Sequence, residues 1–459
     1  MPDMHEQVPV TLRKSLSPVH VCALALGCII GWAAFHEPGA TYLREAGSAG
    51  TLLAIGIAAL AMLLIAVNYG FMVERQPVAG GESAYARAAF GDWHGFVCAW
   101  MLGLAYLLPI SLNATAIGFF SRTIFHGTLM TGPHWVIAGR DVYLSAIVIS
   151  LLALALVATL CLQGVRDTGV LQTILVLVLV GGVAIVAGGL AFQPSAWTTA
   201  DPALHPAVGP RTLSGFFAVL SVAPCLFVGF DTVPQGVEEF DFPHRHARAI
   251  MAASILIGAA IYAALALVAA VAPEATGADC GATVFPSFHA AHRLLGGTGL
   301  AMLFLAVFAA MLTGIIGFLM AESRLLWSMG RTGILPGWFG RISPTRRTPR
   351  NAILFTAGVS GVAALFGRSA LIWFVDLCSL GAAIGYGYTS AAAFRFARRK
   401  GNCAIQVTGA TGVALAILFA ALLIVPIPGL DCAMKSHAWA FLGVWVALGL
   451  IFRLTARRR

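Results

Sequence analysis

Long apolar runs separated by short polar segments account for most of the chain. A helix needs about 20 apolar residues to cross the hydrocarbon core, and that length yields about twelve runs here. They lie near 18–40, 49–73, 95–121, 141–162, 169–192, 212–234, 248–272, 297–321, 351–367, 370–394, 405–427 and 436–454. Runs four and five are joined only by Gln163-Gly164-Val165-Arg166-Asp167-Thr168 and form a tight antiparallel pair. Between runs nine and ten stand only Gly367-Arg368-Ser369. The pattern predicts an all-α polytopic membrane protein.

Two of these runs are interrupted. The first contains Leu26-Gly27-Cys28-Ile29-Ile30-Gly31-Trp32-Ala33, followed by Pro38 and Gly39. The sixth contains Pro224-Cys225-Leu226-Phe227-Val228-Gly229-Phe230-Asp231. Hydrocarbon supplies no hydrogen bonds, so an unwound helix at that depth must face protein or a polar cavity. A matched pair of broken helices, one in each half, is the sequence mark of a transporter's substrate site. The long connections also correspond: 77–94 follows run two on one face, and 273–296 follows run seven on the other. Such inversion predicts two five-helix repeats, 18–192 and 193–394, after a tail of residues 1–17. Residues 395–459 then add two further helices and the C-terminus.

Composition sharpens this reading. The chain is 59% hydrophobic and 10% charged, with a mean hydropathy of +0.87. Soluble domains carry about 25% charged residues, so a water-soluble globule is excluded. The net charge of +9 would suit a nucleic-acid binder, but its distribution gives another explanation. With the N-terminus inside, all of the 28 Lys and Arg except Arg44, Arg122, Arg140, Arg211, Arg293, Arg368 and Lys435 fall on the inner side. That asymmetry is topological. It predicts cytoplasmic N- and C-termini in a multi-pass protein of the cytoplasmic (inner) membrane, with no nucleic-acid partner. No cleavable signal is expected, because residues 1–17 are polar and the first run leads into a second. Most of the nine cysteines lie within runs, and none has metal-site spacing. Cys280 and Cys432 both fall in predicted outer loops, which leaves a disulfide between them open.

A broken helix exposes N–H groups where its second half starts and C=O groups where its first half ends. The N–H groups near Trp32 and Ala33 are therefore candidates to hold a carboxylate. Carbonyls near Ile29, Cys225 and Val228 are candidates to hold an amine. The competing reading makes Gly27 and Gly31 a small-residue packing face; the second break in run six favours the site. Ionisable residues at membrane depth are costly and mark function by default. Asp231, just past the second break, is expected to bind and release the coupling proton, against an alternative role as a helix cap. His36 and Glu37 are candidates for proton entry or an amine contact, against a solvated vestibule lining. Asp376 is a candidate outer gate or a simple partner to a donor, and Glu238, Glu239 and Arg245 read as inner-gate or loop charges, with the structural role favoured. For sodium, Thr313 offers one hydroxyl, and run five has no lysine to replace a bound cation. Enzyme readings fail on partners. His36-Glu37 lacks a histidine at position 40, where Ala40 stands, and no histidine follows Gly358-Val359-Ser360-Gly361 until His437.

The segments Gly27 to Trp32, Pro77-Val78-Ala79-Gly80-Gly81-Glu82-Ser83-Ala84-Tyr85-Ala86, Gly95-Phe96 and Trp100 resemble the amino acid–polyamine–organocation (APC) superfamily. So do Phe227-Val228-Gly229-Phe230-Asp231, Glu238-Glu239 with Pro243, and Glu322-Ser323-Arg324 with Gly330 and Gly333-Ile334-Leu335-Pro336. The resemblance implies a LeuT-like inverted repeat with discontinuous helices one and six, importing an amino acid by alternating access. It places substrate at Gly27, Ile29, Gly31, Trp32, Ala33, Cys225, Phe227, Val228 and Phe230, with Asn113 and Thr313 as secondary lining. Asp231, Glu37 and His36 would serve coupling, to protons or alternatively to sodium, with no cofactor. Two departures stand out. Trp32 and Ala33 replace the small residue and third glycine common in the family, and Cys225 stands where a gating aromatic is frequent. A permease or exchanger for a small amine or polyamine is the alternative, as is a membrane sensor that binds without transporting.

Overall fold

The computed structural model describes residues 12–124, 132–137, 140–192, 210–271, 286–367, 370–430 and 432–456. Helix α1, Pro18–Ile29, starts where Ser17 closes a reciprocal cap. The Ser17 hydroxyl accepts the His20 N–H, and His20 Nδ1 accepts the Ser17 N–H, each at 3.4 Å. Pro18 suits the first turn because its missing N–H would have no helical partner there. The helix ends when Ile30 leaves helical geometry at φ −101° and ψ 87°. Helicity resumes in α2, Ala33–Glu37, passes through a π-helical turn at Pro38–Tyr42, and continues as α3, Leu43–Arg75. The expected loop between runs one and two is thus replaced by that turn and a kink at Gly47, whose φ of 66° suits glycine.

The chain continues as α4 (Gly81–Phe90), α5 (Asp92–Ile124), a two-stranded hairpin β1 (His134–Ile137) and β2 (Arg140–Tyr143), α6 (Leu144–Gln163) and α7 (Val165–Ala191). The antiparallel hairpin pairs Trp135 with Val142; it is a small addition to an otherwise helical fold, and the hydropathy pattern did not signal it. Run six becomes α8 (Pro210–Ser221) and α9 (Ala223–Phe227), followed by short 3-10 turns at Phe230–Thr232 and Pro234–Glu239. Then come α10 (Ala247–Ala270), α11 (Pro286–Arg331, kinked at Gly296), α12 (Arg350–Ala364), α13 (Ala370–Arg399), α14 (Cys403–Ile424) and α15 (Ser436–Ala456).

Among the described residues, eight helical stretches are long and apolar enough to cross a membrane. Runs one and six fall short because their breaks divide them, α12 has only 15 residues, and α13, the tenth run, is not among the eight. The most apolar window of α5 is 94% buried, against 17% for that of α15. Helix α5 therefore stands at the centre of the bundle and α15 at its rim. Leu152, Leu156, Leu177, Ile417, Val444 and Leu454 point outward and exposed, as a lipid-facing surface requires. Helix α1 packs against α7, α10 and α11, while α5 packs against α11 and α13, so the first break is enclosed by protein.

Candidate functional site

The two breaks meet. Gly229 has a φ of 139°, and a Cβ there would come within 2.7 Å of Cys28 Cβ and of the Ile29 nitrogen. Only glycine permits both that backbone angle and that approach. On the other side of α1, a Cβ on Gly27 would clash with the Gln172 amide nitrogen and lie 2.7 Å from Thr313 Cβ. One on Gly31 would come within 3.2 Å of Asn113 Oδ1. Gly27 and Gly31 therefore serve close packing, and the helix also unwinds after Ile29.

Several of the exposed backbone groups have side-chain partners. Asn113 Oδ1 accepts the Trp32 N–H at 3.2 Å, while Asn113 Nδ2 donates to the Pro109 carbonyl at 2.8 Å. The Tyr262 hydroxyl donates to the Ile29 carbonyl at 3.1 Å, and that of Tyr386 to the Pro224 carbonyl at 3.4 Å. Asp231 is fully buried. Its Oδ1 accepts the Gly229 N–H at 2.6 Å and its Oδ2 accepts the Tyr106 hydroxyl at 3.1 Å. Asp231 thus holds the backbone of the second break at Gly229 and is linked to α5.

Around the α2 start the surroundings are polar. His36 Nδ1 lies 3.0 Å from Glu37 Oε1, the Thr41 hydroxyl donates to Glu37 Oε2 at 2.8 Å, and the Trp32 and His36 rings sit 5.2 Å apart. Both acid and imidazole remain partly exposed, with side-chain exposures of 25% and 17%. Around the second break the surroundings are aromatic. Phe230 packs edge-on to Tyr69 and tilted on Tyr386, both at 5.3 Å. Phe227 is buried 6.2 Å from Tyr262, Val228 is buried, and Cys225 is half-buried. Ile29, Trp32, Phe227 and Phe230 all being buried, the centre is closed around itself.

Thr313 is buried, but its hydroxyl donates to its own helix at Ala310. Its carbonyl accepts from Gln172 Nε2 at 3.2 Å, and the same amide reaches the Ala23 carbonyl at 3.3 Å. A neutral amide from α7 thus bridges carbonyls of α1 and α11. Glu239 forms a buried ion pair with Arg324 at 3.1 Å, and Glu238 a partly exposed one with Arg331 at 2.7 Å. Asp376 is half-buried in α13. Cys280 lies outside the described residues, as do residues 1–11 of the tail.

Sequence reading passed over Tyr106, Gln172, Tyr262, Tyr386 and Glu82. Each is a polar residue within or beside an apolar run, which is itself a signal, but periodicity could not say which ones turn toward the breaks. Glu82 is fully buried, accepts Gln235 Nε2 at 2.5 Å through Oε2, and its Oε1 has no hydrogen-bond partner among the described residues.

Comparison with known proteins supplies the family. The sequence profile described as Amino acid permease matches residues 16–449. The chain is 26% identical over 382 residues to the methylthioribose transporter of Bacillus subtilis, covering 81% of this chain and 79% of that one. It is also 26% identical over 458 residues to the branched-chain amino acid permease BcaP of Lactococcus lactis, covering 98% and 94%. A third relative, the vacuolar cationic amino acid transporter 4 of Arabidopsis thaliana, is 27% identical over 394 residues, which is 83% of this chain and 61% of that one. With a match that spans both breaks and nearly the whole chain, this protein belongs to the amino acid permease family of the APC superfamily.

Proposed function

We propose that the protein imports an amino acid across the cytoplasmic membrane by alternating access, driven by protons. In this reading about twelve spans form an inverted five-plus-five repeat and both termini are cytoplasmic. Substrate binds where the two breaks meet, between Ile29, Gly31, Trp32 and Ala33 on one side and Cys225, Phe227, Val228 and Phe230 on the other. The carboxylate takes backbone N–H groups of the α2 start as Asn113 releases Trp32. The observation that carries the coupling assignment is Asp231. It is a fully buried carboxyl at the second break, joined to Tyr106 of α5, with no arginine or lysine in ion-pair contact among the described residues. A proton on Asp231 would weaken its acceptance of the Gly229 N–H and Tyr106 hydroxyl, and so loosen the packing of the break.

Sodium is the less favoured ion, because the Gln172 amide already engages the carbonyls of Ala23 and Thr313. The relatives are named for a thiosugar, branched-chain and cationic amino acids, so the substrate does not follow from them. One observation keeps a small amine in view. The Trp32 and His36 rings lie 5.2 Å apart, tilted by 47°, at the α2 start, and Glu37 stands beside them.

The test is uptake into proteoliposomes under an imposed proton gradient, with and without sodium, pairing each amino acid with its decarboxylated amine. Amino acids should accumulate while their amines do not, independently of sodium, and Asp231→Asn should abolish gradient-driven accumulation and flatten its pH dependence. Unchanged uptake and pH dependence in Asp231→Asn would remove Asp231 from coupling. Accumulation of amines alone would transfer the site to His36, Glu37 and Asp231, and saturable binding without accumulation would make the protein a sensor.

A further inference from the structure

A cavity of about 440 Å³ lies away from the breaks, between the C-terminal ends of α3 and α11 and the helix α4. Arg75, Arg87 and Arg331 line it together with Gln76, Ser83 and Thr332. Three guanidiniums in one pocket need compensation, and the described residues supply only part of it. Arg331 is held by both oxygens of Glu238, at 2.7 and 3.2 Å. Arg87 has only a long contact with Asp92 at 3.8 Å, between side chains that are 40% and 73% exposed, so solvent screens it. Arg75 makes no ion pair among the described residues. Its guanidinium lies 3.8 Å from the Phe71 ring centre, and its buried Nε has no hydrogen-bond acceptor. A buried, unpaired donor on a cation is an unfavourable arrangement unless an anion completes it.

We propose that this pocket binds an organic phosphate. Guanidinium donors match the several oxygens of a phosphate, which accepts them as charge-assisted hydrogen bonds. Arg75 and Arg87 would hold the group; the Ser83 and Thr332 hydroxyls beside it already donate to the Gly95 and Ser328 carbonyls. The cavity falls within the range of roughly 300–1,000 Å³ typical of small-molecule sites, which exceeds a bare phosphate ion. The organic part lies along Pro77, Val78 and Ile334. The ends of two membrane helices frame the pocket, so the same chemistry can come from a phospholipid headgroup or from a soluble nucleotide. Glu238 competes with the phosphate for Arg331. It also accepts the Ala79 N–H at 2.9 Å, so the ligand acts on the segment that follows the second break. Binding does not depend on the transport reading, and its test needs no substrate.

The experiment uses the full-length protein in nanodiscs of phosphatidylcholine, with or without phosphatidylglycerol. AMP is titrated calorimetrically, and retained lipid is read by native mass spectrometry. AMP should bind saturably in neutral discs. Arg75→Gln should weaken it by about tenfold, the loss of one charge-assisted contact, Arg75→Lys should weaken it less, and Glu238→Gln should tighten it. Loss of AMP binding in phosphatidylglycerol discs, with that lipid retained by the wild type and released by Arg75→Gln, assigns the site to a headgroup. AMP binding unaffected by phosphatidylglycerol assigns it to a soluble phosphate. Failure of both probes to bind saturably, or binding unmoved by Arg75→Gln, Arg87→Gln and Glu238→Gln in monodisperse protein, overturns the proposal.

Discussion

Glu82 illustrates what a single buried carboxyl does to such a protein. It lies in α4, outside the crossing segments, where burial pushes its carboxyl well above the ordinary value of 4.5 and the nearby charge of Asp231 pushes in the same direction. A carboxyl raised on folding holds its proton more tightly in the native state. Its contribution to stability is fully present below the ordinary value and is lost as pH rises through the raised native one. The thermal midpoint of the detergent-solubilised protein should therefore fall as pH rises, and Glu82→Gln, which keeps the contact with Gln235 and cannot ionise, should flatten that fall. Equal pH dependence in both proteins would clear Glu82 of the effect. Asn113 marks the limit of residue-level reading. Sequence placed it as a secondary lining residue, yet it holds the Trp32 N–H of the break. That contact joins residues 81 positions apart, and no local pattern encodes it.

At the scale of elements, the broken helices are where glycine decides the structure. Gly229 combines a φ of 139° with backbone and side-chain atoms of α1 less than 3 Å from where a Cβ would stand. In Gly229→Ala the backbone angle alone should cost roughly 1–3 kcal/mol, and the clash must push the two breaks apart. The expected result is a lower thermal midpoint with uptake lost. Wild-type uptake in a folded Gly229→Ala protein would mean that the close approach of the breaks is dispensable. The existence of both breaks was legible in the sequence, because glycine and proline interrupt long apolar runs. Their details were not. Run six continues as 3-10 turns where an apolar helix was expected, since Gly229 redirects the chain and Pro234 cannot donate into a regular helix. At Pro38-Gly39, where the sequence signals an interruption, the chain instead passes through a π-turn into α3 without a loop.

The whole molecule carries the question of orientation. Cys403 is an exposed thiol at the start of α14, in the segment that the distribution of Lys and Arg places in the cytoplasm. In a Cys280→Ser background, a membrane-impermeant maleimide should leave Cys403 unlabelled in intact cells and label it once the membrane is opened. Labelling in intact cells would invert the assignment. Apolar length and charge asymmetry are properties of local sequence against a slab of lipid, so the sequence by itself determined that the chain is a helical membrane protein with interrupted first and sixth runs. It also supplied the family, through short motifs whose order survives at 26% identity. Only the tertiary structure decided which polar residues meet those interruptions. Tyr106, Gln172 and Tyr262 come from three different helices, and their direction depends on how each helix is rotated against α1 and the second break. Rotation is set by the packing of the entire bundle. A hydrophobic pattern, which is apolar on nearly every face of a membrane helix, cannot specify it.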